Sequence, residues 1–178
     1  LAVAATVPTV APQPAPADGA AVPTGTVPAA AQAGEDAVLA KYPASAQALL
    51  DQFHPDVAAA SYYNDPAAAP AKQVETVKGL FFTVQVGVYS KPTPLDKLFN
   101  ITPLNSERTA TGLIRYTTGV FRDEGDAKTR KDGTVGLGVS DAFVTAYVNG
   151  KRIPVRDARA LLAKFGAAVL VDPALATH

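Results

Sequence analysis

The residues able to do acid–base or metal chemistry are few in this chain and poorly spaced for it. There are two histidines and no cysteine. His54 stands beside Pro55 in a short helical region and His178 is the terminal residue, so neither has a partner at the spacing of a ligand pair or a general base. Asp123, Glu124 and Asp126 are the densest carboxylates. With Arg130 and Lys131 further along, they read as a helix start matched to the helix dipole rather than as an acid pair or metal cluster. Gly133, Gly136 and Gly138 lack the following lysine and hydroxyl residue of a phosphate loop and precede a strand. The absence of cysteine removes disulfides, thiolate ligands and a thiol nucleophile. No catalytic residue, no metal site and no cofactor is therefore expected.

The elements that must position any remaining chemistry are strands. Gly79 to Tyr89 sets Val84, Val86 and Val88 to one side and Thr83, Gln85, Gly87 and Tyr89 to the other. Lys91-Pro92-Thr93-Pro94 ends this strand, and Leu95, Leu98 and Phe99 give a brief helix. A second strand is expected about Asn105 to Thr109 and a third from Leu113 to Val120. The helix opened by Asp123 contains Gly125, Gly133 and Gly136, each costing roughly 1 kcal/mol against alanine, so it must be held by packing through Ala127. A last strand, Ala142 to Tyr147, runs into the tight turn Asn149-Gly150. The order predicts an α+β fold, β-α-β-β-α-β and ferredoxin-like: one four-stranded antiparallel sheet with two helices on one face and the other face open. Val84, Val86, Val88, Tyr116 and Ala127 are the expected buried positions. If Ala142, Val144 and Ala146 meet the helices, Phe143, Thr145 and Tyr147 face the open side.

Composition divides the 178 residues into four pieces. Residues 1–34 hold six prolines and a single charged residue, Asp18, and read as a Pro/Ala-rich extended spacer. Residues 35–78 read as short helices and linker, 79–153 as the compact domain, and 154–178 as a C-terminal helix about Val155 to Phe165 with a tail. The spacer is either a free tether or a segment laid across a partner. Leu1 in place of an initiator methionine is expected of a processed or excised piece of a longer product. Sixteen basic residues balance sixteen acidic ones, which gives no case for nucleic acid or an anionic membrane. No apolar run approaches the ~18 residues of a membrane span. Residues 81–153 carry ten basic against seven acidic groups, but the strands lack the stacking aromatics of an RNA-binding sheet.

Three runs in order, Phe82 to Tyr89, Leu113 to Phe121 and Gly138 to Tyr147, followed by Asn149-Gly150-Lys151-Arg152-Ile153, resemble the bacterial sporulation-related repeat, or SPOR domain. The likeness covers about residues 79–162 and is to the form found in envelope proteins of Bacteroidetes-type bacteria, with Gln85, Gly87 and Gly119 at its signature positions. The resemblance implies a non-catalytic module of the periplasm or outer cell envelope that binds peptidoglycan glycan strands lacking stem peptides. It implies a site of Gln85, Tyr89, Arg115, Thr117 and Tyr147: an amide that both donates and accepts, aromatic platforms, and polar reach from a neighbouring strand. Other envelope proteins are expected as partners through residues 1–78. The rival expectation is a structural or scaffold subunit of an envelope assembly that uses the N-terminus and the sheet for protein contacts.

Overall fold

A computed structural model describes residues 29–57 and 65–177, with side chains from residue 34 onward; of the spacer expected to be extended over 1–34, residues 1–28 lie outside the described residues, as does His178, and 29–34 are instead helical, opening the helix Ala29–Leu39. Helices α1 (Ala29–Leu39) and α2 (Ala46–Leu50) come first, then strands β1 (Lys72–Gln73), β2 (Leu80–Tyr89), β3 (Leu104–Arg108) and β4 (Ile114–Phe121). Helix α3 (Glu124–Gly136), strands β5 (Phe143–Val148) and β6 (Lys151–Ile153) and helix α4 (Val155–Phe165) complete the order. The strands form one six-stranded sheet, β1-β3-β4-β2-β5-β6.

This corrects the expected four-stranded, wholly antiparallel sheet with two helices. The sheet is mixed, because β1 pairs in parallel with β3, Lys72 opposite Asn105 and Gln73 opposite Ser106. At the other edge the Asn149-Gly150 turn closes a hairpin that continues to Ala146 opposite Ile153. Two-residue and three-residue strands carry no readable alternation, so neither edge announces itself in the sequence. Four α-helices accompany the sheet among the described residues, and the helix expected about Leu95 is a 3₁₀ turn, Leu95–Leu98.

Two irregularities in the β2–β4 ladder set which side chains share a face. Gln85 stands opposite Thr117 but Gly87 opposite Tyr116, so Val86 is an extra residue and the alternation of β2 reverses beyond it. Val88, expected in the core, is therefore 40% exposed beside Arg115, and Tyr89 turns in to meet the Tyr116 ring edge-on at 5.8 Å. The other irregularity lies on β4 between Phe121 and Thr118, where Gly119 takes φ 76°.

One sheet face carries the main core. Leu80, Phe82, Ala146 and Leu161 pack together there with Ala127 of α3 and Ala158 of α4, and Val84, Val86, Leu104 and Tyr116 extend the apolar layer. Helix α3 is poor by propensity and is secured from outside. Asp123 caps it by accepting from the amides of Gly125 and Asp126, and Arg130 donates to Thr118 Oγ1 and to the Thr102 carbonyl. On the opposite face Phe81, Val120 and Tyr147 are covered by Val74 and Val77 from the segment after β1 and by Val171 from the C-terminal segment.

Candidate functional site

The second face is dry at one end and polar at the other. At the dry end the Tyr147 ring stacks on Phe81, centroids 5.4 Å apart and planes 12° from parallel, and Tyr147 is fully buried. Its hydroxyl donates to Glu107 Oε2, and Arg115 Nη1 donates to the same oxygen at 2.9 Å. Burial and the Glu107 charge push the Tyr147 hydroxyl well above the ordinary tyrosine range. Burial pulls the Arg115 guanidinium down, but its bond to Glu107 and that residue's charge reverse the effect and leave it raised. At neutral pH the trio is a neutral phenol and a guanidinium converging on one carboxylate, a fastening rather than a poised acid or base.

Beyond this fastening lies a groove of about 690 Å³ between the Thr109–Thr111 turn and the β5–β6 edge. Glu107, Arg115, Thr145 and Arg152 line it. A second groove of about 330 Å³ adjoins, bordered by His54, Asp56, Glu75 and Lys151, and Glu107 and Arg152 belong to both. Arg152 Nε donates to Thr145 Oγ1 at 2.9 Å and its guanidinium carbon lies 5.8 Å from the Phe143 ring centroid. Phe143 is 41% exposed and stands opposite Gln85, which is half-buried.

Four of the five residues expected in the site, Gln85, Arg115, Thr117 and Tyr147, share this face; Tyr89 does not. The extra residue Val86 rotates Tyr89 onto the core side. Thr117 is fully buried and accepts from Asn105 Nδ2, which also donates to the Gly119 carbonyl. Tyr147 is roofed rather than open, Arg115 lines the larger groove but is tied to Glu107, and Gln85 is half-buried and lines neither groove. Glu107 and Arg152 are the groove residues that sequence reasoning passed over. Both were readable from register: the two-residue turn Asn149-Gly150 forces Tyr147 opposite Arg152, and the β3–β4 hairpin puts Glu107 opposite Arg115.

Among the described residues no group of three histidine or acidic side chains is placed to hold a metal ion. No helix of the described residues is long and apolar enough to cross a membrane. The chain matches no protein-family model, no curated protein and no solved structure.

Proposed function

We propose that this chain is a non-catalytic binding module whose ligand is an extended glycan strand, laid along the groove at the polar end of the second sheet face. The observation that carries the reading is the pair Thr145 and Arg152 in the groove with an exposed aromatic ring, Phe143, at its edge beside the Arg152 guanidinium and an amide, Gln85, opposite that ring on the next strand. A sugar presents hydroxyls that need donors and acceptors together, and a ring face that needs a flat apolar partner. Peptidoglycan strands freed of stem peptides, in a bacterial periplasm or outer envelope, are the ligand class to test first, on the likeness of the strand runs noted above.

The test is calorimetric titration of the full chain with such strands, alongside Gln85→Ala and Phe143→Ala. Each substitution is expected to weaken binding about threefold to tenfold, the effect of one hydrogen bond or one ring contact, with the thermal unfolding midpoint unchanged. Failure of the folded wild-type chain to bind any strand refutes the reading.

A scaffold role, through a surface other than the N-terminus and sheet face first expected, has support in exposed apolar residues near the end of α3. Phe99 is 44% exposed and lies against Gly138, which follows the exposed Leu137 and Val135 at the end of α3. Absence of glycan binding, together with an association that Leu137→Glu abolishes in sedimentation velocity, would favour it.

A further inference from the structure

We propose that Arg152 is the specificity-determining residue of the groove and that the strand it selects bears a carboxylate on its sugar units. The inference rests on the glycan reading above and names what that reading leaves open, the charge of the ligand.

Arg152 is exposed yet held. Its Nε is spent on Thr145, whose side chain belongs to a buried residue of β5, and the Phe143 ring supports the guanidinium from one side. Among the described residues it has no carboxylate partner, whereas Arg115 in the same groove is paired with Glu107 and Arg159 elsewhere is paired with Glu124. A long cationic side chain fixed at its root and carrying an unspent planar fork has already lost much of the rotamer freedom that binding would otherwise remove. The fork matches a carboxylate two bonds at a time, which a neutral hydroxyl cannot do.

The charge lining the larger groove favours an anion. Glu107 could compete for Arg152, but it already accepts from Tyr147 and Arg115, so Glu107, Arg115 and Arg152 together leave one positive charge. Arg152 also sits where the two grooves meet; the second is lined by Lys151 and Arg108 against Asp56 and Glu75, so it adds no net charge and the positive excess belongs to the larger groove. A strand crossing that junction passes the guanidinium whichever groove it enters by. A glycan from which a peptide has been hydrolysed at its amide carries a free carboxylate where the amide stood. The same strand with the peptide still attached offers only a neutral amide there. Selection of peptide-free strands thus becomes a matter of charge at one residue, without any steric test of what has been removed.

The experiment uses the full chain and three probes: a peptide-free strand with free carboxylates, the same strand with those carboxylates converted to methylamides, and a neutral chitooligosaccharide. Wild-type chain is expected to prefer the acidic strand to its amidated form by about tenfold, the scale of one charge-assisted bidentate contact, and to lose part of that preference in high salt. Arg152→Gln is expected to bind both forms alike while keeping the wild-type unfolding midpoint, and Arg152→Lys to restore only part of the preference because an ammonium lacks the fork. Equal binding of acidic and amidated strands by the wild type overturns the inference while leaving the glycan reading in place. So does a preference that survives in Arg152→Gln. Binding of none of the three probes removes the glycan reading and this one with it.

Discussion

Replacing Glu107 by glutamine should destabilise the protein more than deleting its whole network does. In the variant the Tyr147 hydroxyl keeps an amide oxygen to donate to, but Arg115 keeps its charge and loses its counter-ion. The Arg115 and Glu107 side chains are only 16% and 14% exposed, so the stranded guanidinium is poorly hydrated. Breaking a fully buried pair by removing one partner costs ~3–5 kcal/mol, and the residual exposure here reduces that to about 2–3 kcal/mol. Tyr147→Phe leaves the ion pair whole and removes one bond to a charged acceptor, about 1–2 kcal/mol. The combined variant Glu107→Leu, Arg115→Leu, Tyr147→Phe removes the charge together with its counter-ion and the phenol, and should cost less than Glu107→Gln alone. Urea unfolding at neutral pH reads these directly: the single variant should lower the midpoint by about 1 M, with an unchanged slope. Additive losses, with the combined variant the least stable of the set, would falsify the account of this cluster as a coupled fastening.

Glu124 receives Arg159 through two bonds of 2.5 and 2.6 Å and Lys128 at 2.9 Å, and the Arg159 bond foremost draws its carboxyl down from 4.5 to about 2. A depressed carboxyl stabilises above its unfolded value and loses that contribution as pH falls, so wild type should shed about 1 kcal/mol between pH 4.5 and 2, less in high salt because Arg159 is largely exposed. Thermal midpoints against pH should run flatter for Glu124→Gln, and parallel curves would discard the pairing as a source of stability. Gly150→Ala should destabilise by about 2–4 kcal/mol, since a methyl there meets the Glu75 backbone at 2.7 Å in a residue with φ 76°. Gly133→Ala, with open space at the same position of a methyl inside α3, should instead stabilise by about 0.5–1 kcal/mol; chemical denaturation that gives the two the same sign would contradict both readings.

The strands and the helix opened by Asp123 were legible because each is long enough to show its period or its cap: Leu80–Tyr89, Ile114–Phe121 and Glu124–Gly136 follow from residue order alone. What failed was everything decided by a single inserted residue or a very short pairing. Val86 belongs to a run of alternating valines that gives no hint of a bulge, and that one residue moves Tyr89 from the candidate site into the core and Val88 out of the core. Lys72–Gln73 and Lys151–Ile153 widen the sheet without any hydrophobic pattern of their own. The roof over Tyr147 comes from Val74, Val77 and Val171, distant along the chain from the strand they cover. A face that looks open from strand alternation alone is half closed by segments that alternation does not describe.

That partial roof has a consequence for how the groove is built. Tyr147 and Arg152 are paired across the β5–β6 hairpin, so the stacked, covered ring and the exposed guanidinium are held in one register by the same two-residue turn. Asn149 in that turn accepts from the Gly79 amide and donates to the Leu49 carbonyl, anchoring it at once to the start of β2 and to the end of α2. The polar end of the face is therefore carried on backbone fixed from the dry end, and Glu107 and Arg115 are drawn in through the Tyr147 hydroxyl. Side chains held by paired strands and a buried polar cluster have little freedom left to lose, which is the preorganisation that the proposed binding role requires. The same construction means that a change at the dry end acts on the groove through strand register, whereas a change at Arg152 removes only its bond to Thr145 and its contact with the Phe143 ring.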